Sequence, residues 1–113
     1  MMASTSNGMF AMKRIVVRYK TKPDQADKNA RLIENVFKEL KQRAPAGLRY
    51  AALRLADGVS FVHVASIETP DGTNPLAEIA AFKAFQAEIR DRCTEPPQAS
   101  DVTVVGGYRL FDT

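Results

Sequence analysis

The chain has a single histidine, His63, and a single cysteine, Cys93, and this scarcity bounds its chemistry before any fold is considered. A three-histidine zinc site is impossible. A transition-metal centre would need several carboxylates to converge around one or two nitrogen and sulfur donors. No metal, no haem and no other cofactor is therefore expected. A Ser-His-Asp relay would have to run through His63, and no serine lies in a nucleophile-elbow context. Gly106–Gly107 lacks the remainder of a dinucleotide fingerprint, and the chain has no phosphate-binding loop. With one cysteine there is no intrachain disulfide, which suits a reducing, cytoplasmic setting.

Two readings of His63 stand side by side. Its side chain titrates near neutrality, so it can serve as a proton acceptor or hydrogen-bond partner of a ligand. It can equally be a packed histidine satisfied by backbone. Tyr19, Tyr50 and Tyr108 fall on expected strands, where they line the same cavity as His63 or pack with the hydroxyl reaching water. Cys93 is read as a packing residue, since a reactive thiol needs access and cationic neighbours. Glu34, Glu39, Glu78 and Glu88 fall on polar helix positions and read as surface.

These side chains must be carried by a small set of elements. Lys13–Lys20 alternates as a strand, with Ile15, Val17 and Tyr19 on one side and Arg14, Val16 and Arg18 on the other. Pro23 and Asp24 open a helix to about Arg43, with Ala26, Ala30, Ile33, Val36, Phe37 and Leu40 as its apolar stripe. Pro45 and Gly47 stop it. Strands over roughly 48–56 and 59–68 are joined at Asp57–Gly58, a hairpin signal because such turns need positive φ. A loop pairing Leu53 with Phe61 and Ala51 with His63 is favoured over one pairing Arg54 with Phe61 and Ala52 with His63. The favoured register gathers Leu53, Leu55, Val59 and Phe61 on one face. Asn74 caps a second helix with Pro75 at its first position. Its stripe is Phe82, Phe85, Ile89 and Cys93, a break falls near Ala80, and Pro96–Pro97 end it. A last strand is expected over Val102–Phe111.

The order βαββαβ implies a ferredoxin-like α+β domain: a four-stranded antiparallel sheet with two helices on one face. Residues 1–12 are expected to be a disordered leader, lacking the basic and apolar regions of a signal peptide, and residues 13–113 the single domain. No apolar run is long enough for a bilayer-spanning helix. The helices leave one sheet face bare, bearing Val16, Val62 and Val64. Burial against a second copy is the simplest cover, so a homodimer is expected. The net charge of +3 is too small to argue for nucleic acid. RNA-recognition domains share this element order. However, Asp57-Gly58-Val59-Ser60-Phe61-Val62-His63-Val64 begins with an acid and offers one aromatic, and Val16 stands where a second stacking ring is wanted.

The Asp57–Gly58 hairpin, the strand Phe61-Val62-His63-Val64, the helix with Phe82 and Phe85, and Val105-Gly106-Gly107-Tyr108-Arg109 resemble the antibiotic-biosynthesis-monooxygenase-like group. The likeness covers about residues 13–111. It implies a dimeric α+β barrel with a small-molecule pocket between sheet and helices. Oxygenases of the group hold an ionisable polycyclic substrate there, often beside a tryptophan, whereas this chain has no Trp. Haem degraders of the group use a histidine on the second helix, and Leu76–Cys93 has none. No catalytic residue is carried over from either. For an enzyme of this kind the expectation is a cavity with His63 as base and Tyr19 as its polar neighbour. Phe61 and Phe82 or Phe85 would line it, and the ligand would be a small apolar or aromatic molecule with an acidic aromatic or enol group. A non-catalytic ligand-binding or structural dimer is the competing reading.

Overall fold

The computed structural model describes residues 12–110, so Phe111 and nearly all of the expected leader lie outside the described residues. The chain runs through β1 (Lys13–Thr21), a 3-10 turn (Pro23–Gln25), α1 (Ala26–Arg43), β2 (Leu48–Arg54) and β3 (Ser60–Ile67). It continues through a second 3-10 turn (Pro75–Glu78), α2 (Ala80–Gln86), α3 (Ile89–Arg92) and β4 (Cys93–Asp101). The four strands form one sheet in the order β2-β3-β1-β4, every neighbour antiparallel. This is the ferredoxin-like α+β arrangement. No helix among the described residues is long and apolar enough to cross a membrane.

The stripe of α1 packs as its spacing demands: Ala26, Ile33 and Val36 are buried, and Ala30, Phe37 and Leu40 border the core. The helix ends where Ala44 turns left-handed and donates its N–H to the Leu40 carbonyl at 2.7 Å. Gly47 follows at φ +80°, and a Cβ there would meet Thr69 Cγ2 at 2.7 Å, so the crossing into β2 requires glycine.

The hairpin register differs from the favoured one. Arg54 faces Phe61 and Ala52 faces His63. Asp57 decides this: its carboxylate accepts the N–H groups of Val59 and Ser60 at 3.0 and 2.8 Å, while Gly58 at φ +80° donates to Leu55. The connection is thereby lengthened without changing the parity of the ladder. Leu53 is turned onto the helix-free face beside Val62, where it is 55% exposed.

The second helical region also departs from expectation. Asn74 caps as read, its Oδ1 accepting the Leu76 N–H at 3.0 Å. The expected break near Ala80 falls at Ile79, and a second break at Glu88, whose φ is +61°, leaves three short pieces. Side chains from elsewhere hold α2 at both ends. Glu39 of α1, expected as surface, accepts the N–H groups of Ala80 and Ala81 at 3.2 and 2.8 Å. Arg92 donates to the carbonyls of Phe85 and Ala87. Backbone hydrogen bonds turn the Glu39 carboxyl below its usual range.

The largest correction is the last strand. It is Cys93–Asp101, containing Pro96 and Pro97, and not Val102–Phe111. Prolines argue against a central strand, but β4 is an edge strand. Both fall where the pairing shifts between Arg18↔Gln98 and Lys20↔Glu95, so neither is asked for a ladder hydrogen bond. Val102, Val105, Tyr108 and Leu110, expected in that strand, are exposed.

Candidate functional site

Strand order explains what surrounds His63. It lies on β3, flanked by β1 and β2, with Val17 and Ala52 directly opposite. The long aromatic residues two positions away on each neighbour, Tyr19 of β1 and Tyr50 of β2, share its face and reach it diagonally. The Tyr19 hydroxyl is 2.8 Å from Nε2 and the Tyr50 hydroxyl 2.6 Å from Nδ1, so both ring nitrogens are hydrogen-bonded. His63 and Tyr19 are each 5% exposed. Phe85 stacks on the imidazole with centroids 5.3 Å apart.

A polar chain continues behind Tyr19. Asn29 Nδ2 donates to the Tyr19 oxygen at 2.9 Å, and Arg92 Nε donates to Asn29 Oδ1 at 3.2 Å. Sequence reasoning missed both residues. Asn29 left a trace, being a polar residue on the buried face of α1 between Ala26 and Ile33. Arg92 left none, because an unbroken helix would have turned it away from the stripe.

Tyr19, His63 and Tyr50 border a cavity of about 480 Å³ between the sheet and the region Leu76–Arg90. The volume is within the range of small-molecule sites. Ile15, Val17 and Ala65 form the sheet wall, Leu76, Phe82, Phe85 and Ile89 the helical wall, and Tyr19, His63 and Tyr50 the polar spot. The exposed residues Gln86 and Arg90 also line it, so it communicates with solvent. Phe61, expected on the wall, is elsewhere: it stacks behind Tyr19 with centroids 5.4 Å apart. The structure therefore brings together His63, Tyr19, Tyr50, Phe82 and Phe85, and sets Phe61 behind the site. Tyr108 is far more open, at 79% exposure in the final segment.

Burial lowers the His63 pKa from its ordinary 6.5 to about 4, so the ring is neutral at pH 7. Burial also pushes both tyrosine hydroxyls well above their ordinary value, with the Asn29 hydrogen bond partly opposing this at Tyr19. The spot thus holds three neutral groups that can exchange protons along short hydrogen bonds. Burial raises the pKa of the half-buried Cys93 thiol, the opposite of what a nucleophile needs. Among the described residues no group of three His, Cys, Asp or Glu side chains converges as a metal site.

Val16, Val62 and Val64 lie together on the opposite, helix-free face with Leu53. One end of that face carries a polar cluster. Arg14 Nε donates to Ser66 Oγ at 3.1 Å, Ser66 Oγ donates to Glu68, and Arg49 Nε donates to Glu68 at 3.1 Å. Hydrogen bonds from Ser66 and Arg49 bring the Glu68 carboxyl below its ordinary value.

No protein-family model matches the chain, and no curated protein is significantly similar in sequence. Solved structures match along most of its length. A protein from Nitrosomonas europaea provisionally named an antibiotic biosynthesis monooxygenase superposes with a TM-score of 0.66 at 20% identity, covering 83% of this chain and 90% of that one. Rv0793 from Mycobacterium tuberculosis gives 0.63 at 17% identity over 85% and 97%. NE2512, a protein of unknown function from Nitrosomonas europaea, gives 0.66 at 18% over 88% and 94%. The chain has the fold of the antibiotic-biosynthesis-monooxygenase-like proteins.

Proposed function

We propose that the chain takes a small, largely apolar aromatic or enolic molecule into the cavity, binds its acidic oxygen at the Tyr19–His63–Tyr50 spot, and oxygenates it without a cofactor. One observation carries this reading: a tyrosine–histidine–tyrosine triad, with His63 and Tyr19 buried and both ring nitrogens hydrogen-bonded, is the polar spot on largely apolar sheet and helical walls, while the polar residues Asn74, Gln86 and Arg90 complete the lining. The names given to fold neighbours support it at the level of reaction class.

The chemistry begins with proton loss from the ligand to His63 through a tyrosine hydroxyl. A positioned base of this kind contributes ~10²–10⁴-fold. The resulting anion attacks dioxygen, forming a C–O bond. The O–O bond of that peroxide then breaks with loss of water, and a CH2 becomes a carbonyl. One oxygen atom stays in the product and the other leaves as water with the two substrate hydrogens, so no external reductant is consumed. The chain works as a homodimer in this reading, Val16, Val62 and Val64 meeting the same face of a second copy to close an α+β barrel. A cytoplasmic setting belongs to the same reading.

A second reading is favoured by the occupation of both ring nitrogens: the cavity binds such a ligand and does nothing further. Oxygen-electrode measurements with a panel of acidic phenols and cyclic 1,3-diketones, paired with calorimetric binding, separate the two. The oxygenase reading predicts uptake matched by an equal amount of ketone product. Saturable binding without uptake gives the second reading. Absence of binding across the panel rejects the cavity as a site for this ligand class.

A further inference from the structure

We infer that Asn29 and Arg92 are positioning residues that set the direction of every proton in the triad, so that His63 rests as the Nδ1–H tautomer and Tyr50 presents its hydroxyl proton to the cavity. Arginine only donates, so the atom of Asn29 facing Arg92 Nε at 3.2 Å is the amide oxygen. The amide nitrogen therefore faces Tyr19 and donates to its oxygen at 2.9 Å. Tyr19 has one proton left to give, and its acceptor is His63 Nε2 at 2.8 Å. Nε2 is then the bare nitrogen. The proton of the neutral ring sits on Nδ1 and is donated to the Tyr50 oxygen at 2.6 Å. The Tyr50 proton remains for the cavity that Tyr50 lines.

The anchor of this chain is built firmly. Asn29 is 0% and Arg92 4% exposed. The guanidinium is held by the Phe85 and Ala87 carbonyls and lies over the Phe85 ring, 5.5 Å from its centroid. Among the described residues no carboxylate pairs with Arg92. Its charge polarises the line in one sense, each group becoming a better donor for having accepted.

The consequence for a ligand rests on the cavity being a ligand site. Tyr50 is the donor end and fits an accepting oxygen, a ligand carbonyl or oxyanion. Tyr19 is the entry for a proton. As the ligand O–H bond breaks, an O–H bond forms at Tyr19, and the former Tyr19 proton bonds to Nε2. The products are an imidazolium and a ligand anion held by Tyr50. An apolar molecule bearing an accepting oxygen next to an acidic hydroxyl or enol matches both ends, whereas a protonated amine, which only donates, cannot accept from Tyr50.

The test needs no ligand. A long-range proton–nitrogen correlation spectrum of nitrogen-15-labelled protein at neutral pH reads the tautomer directly, and one histidine leaves no overlap. The expected pattern is a protonated Nδ1 and a bare Nε2. The reverse pattern, or averaging of the two, overturns the inference. Asn29→Asp supplies an acceptor to both Arg92 and Tyr19, so Tyr19 must donate to it and the ring must switch to Nε2–H. Tyr50→Phe leaves the ring at Nδ1–H, because direction is set from Asn29. An unchanged tautomer in Asn29→Asp, or a switched one in Tyr50→Phe, counts against the assignment. The wild-type spectrum decides even if a variant fails to fold. A ring found at Nδ1–H in a protein that binds no panel compound would instead reject the ligand reading.

Discussion

Acidifying the protein through the range in which free histidine titrates should destabilise it, and His63 sets the size of the effect. The folded ring has a pKa of about 4 against an ordinary value of 6.5. Between those values the unfolded chain takes up a proton that the folded chain refuses. Stability is therefore complete above pH 6.5 and falls as pH drops towards 4. At about 1.36 kcal/mol per unit, that window amounts to roughly 3 kcal/mol for the pKa gap given. The assay is urea unfolding at pH values from 7.5 to about 4, comparing wild type with His63→Gln, whose side chain does not titrate. The difference between the two curves removes the carboxylates they share. The expected result is a difference that shrinks steadily below pH 6.5. A flat difference would mean that His63 charges freely in the folded chain, and the buried, tyrosine-paired ring would be wrong.

Three further outcomes follow from the same geometry. Val62→Asp places a carboxylate on the helix-free face, between Leu53 and Arg18 on the neighbouring strands. It should convert a dimer to monomer in sedimentation, and a wild type sedimenting as a monomer at all concentrations would refute the pairing. Gly47→Ala should cost more than ~1 kcal/mol in unfolding measurements, because its φ is +80° and Thr69 Cγ2 would lie 2.7 Å from the new Cβ. If His63 takes the ligand's proton, the acid limb of kcat/KM falls near pH 4 and not near 6.5.

The sequence makes some parts of this molecule legible and hides others for identifiable reasons. The stripe of α1, the Asn74–Pro75 cap and the alternation of β1 are local patterns, and the structure follows them. Tyr19 could be paired with His63 because β1 and β3 are neighbours in the expected topology. Tyr50 could not, because the favoured hairpin register differed by one residue from the observed one, and one residue turns a whole strand over. With Ala51 opposite His63, Tyr50 points away. With Ala52 there, it joins the site. The Asx hydrogen bonds of Asp57 that choose between these registers depend on loop geometry, which composition does not encode. β4 was hidden by Pro96–Pro97, a strong breaker signal outweighed by an edge position and a pairing shift. Arg92 was hidden by the left-handed turn at Glu88, without which it would face solvent.

The central claim is that the tyrosine–histidine–tyrosine spot receives the acidic oxygen of a small aromatic ligand. A spectrophotometric titration with 4-nitrophenol, whose phenol and phenolate absorb differently, tests it most directly. The account predicts saturable binding in which the phenolate band appears below the pH where the free phenol ionises. His63→Gln and Tyr50→Phe should each abolish that band while keeping the fold. The absence of any saturable change, or an identical phenolate band in both variants, would contradict the claim.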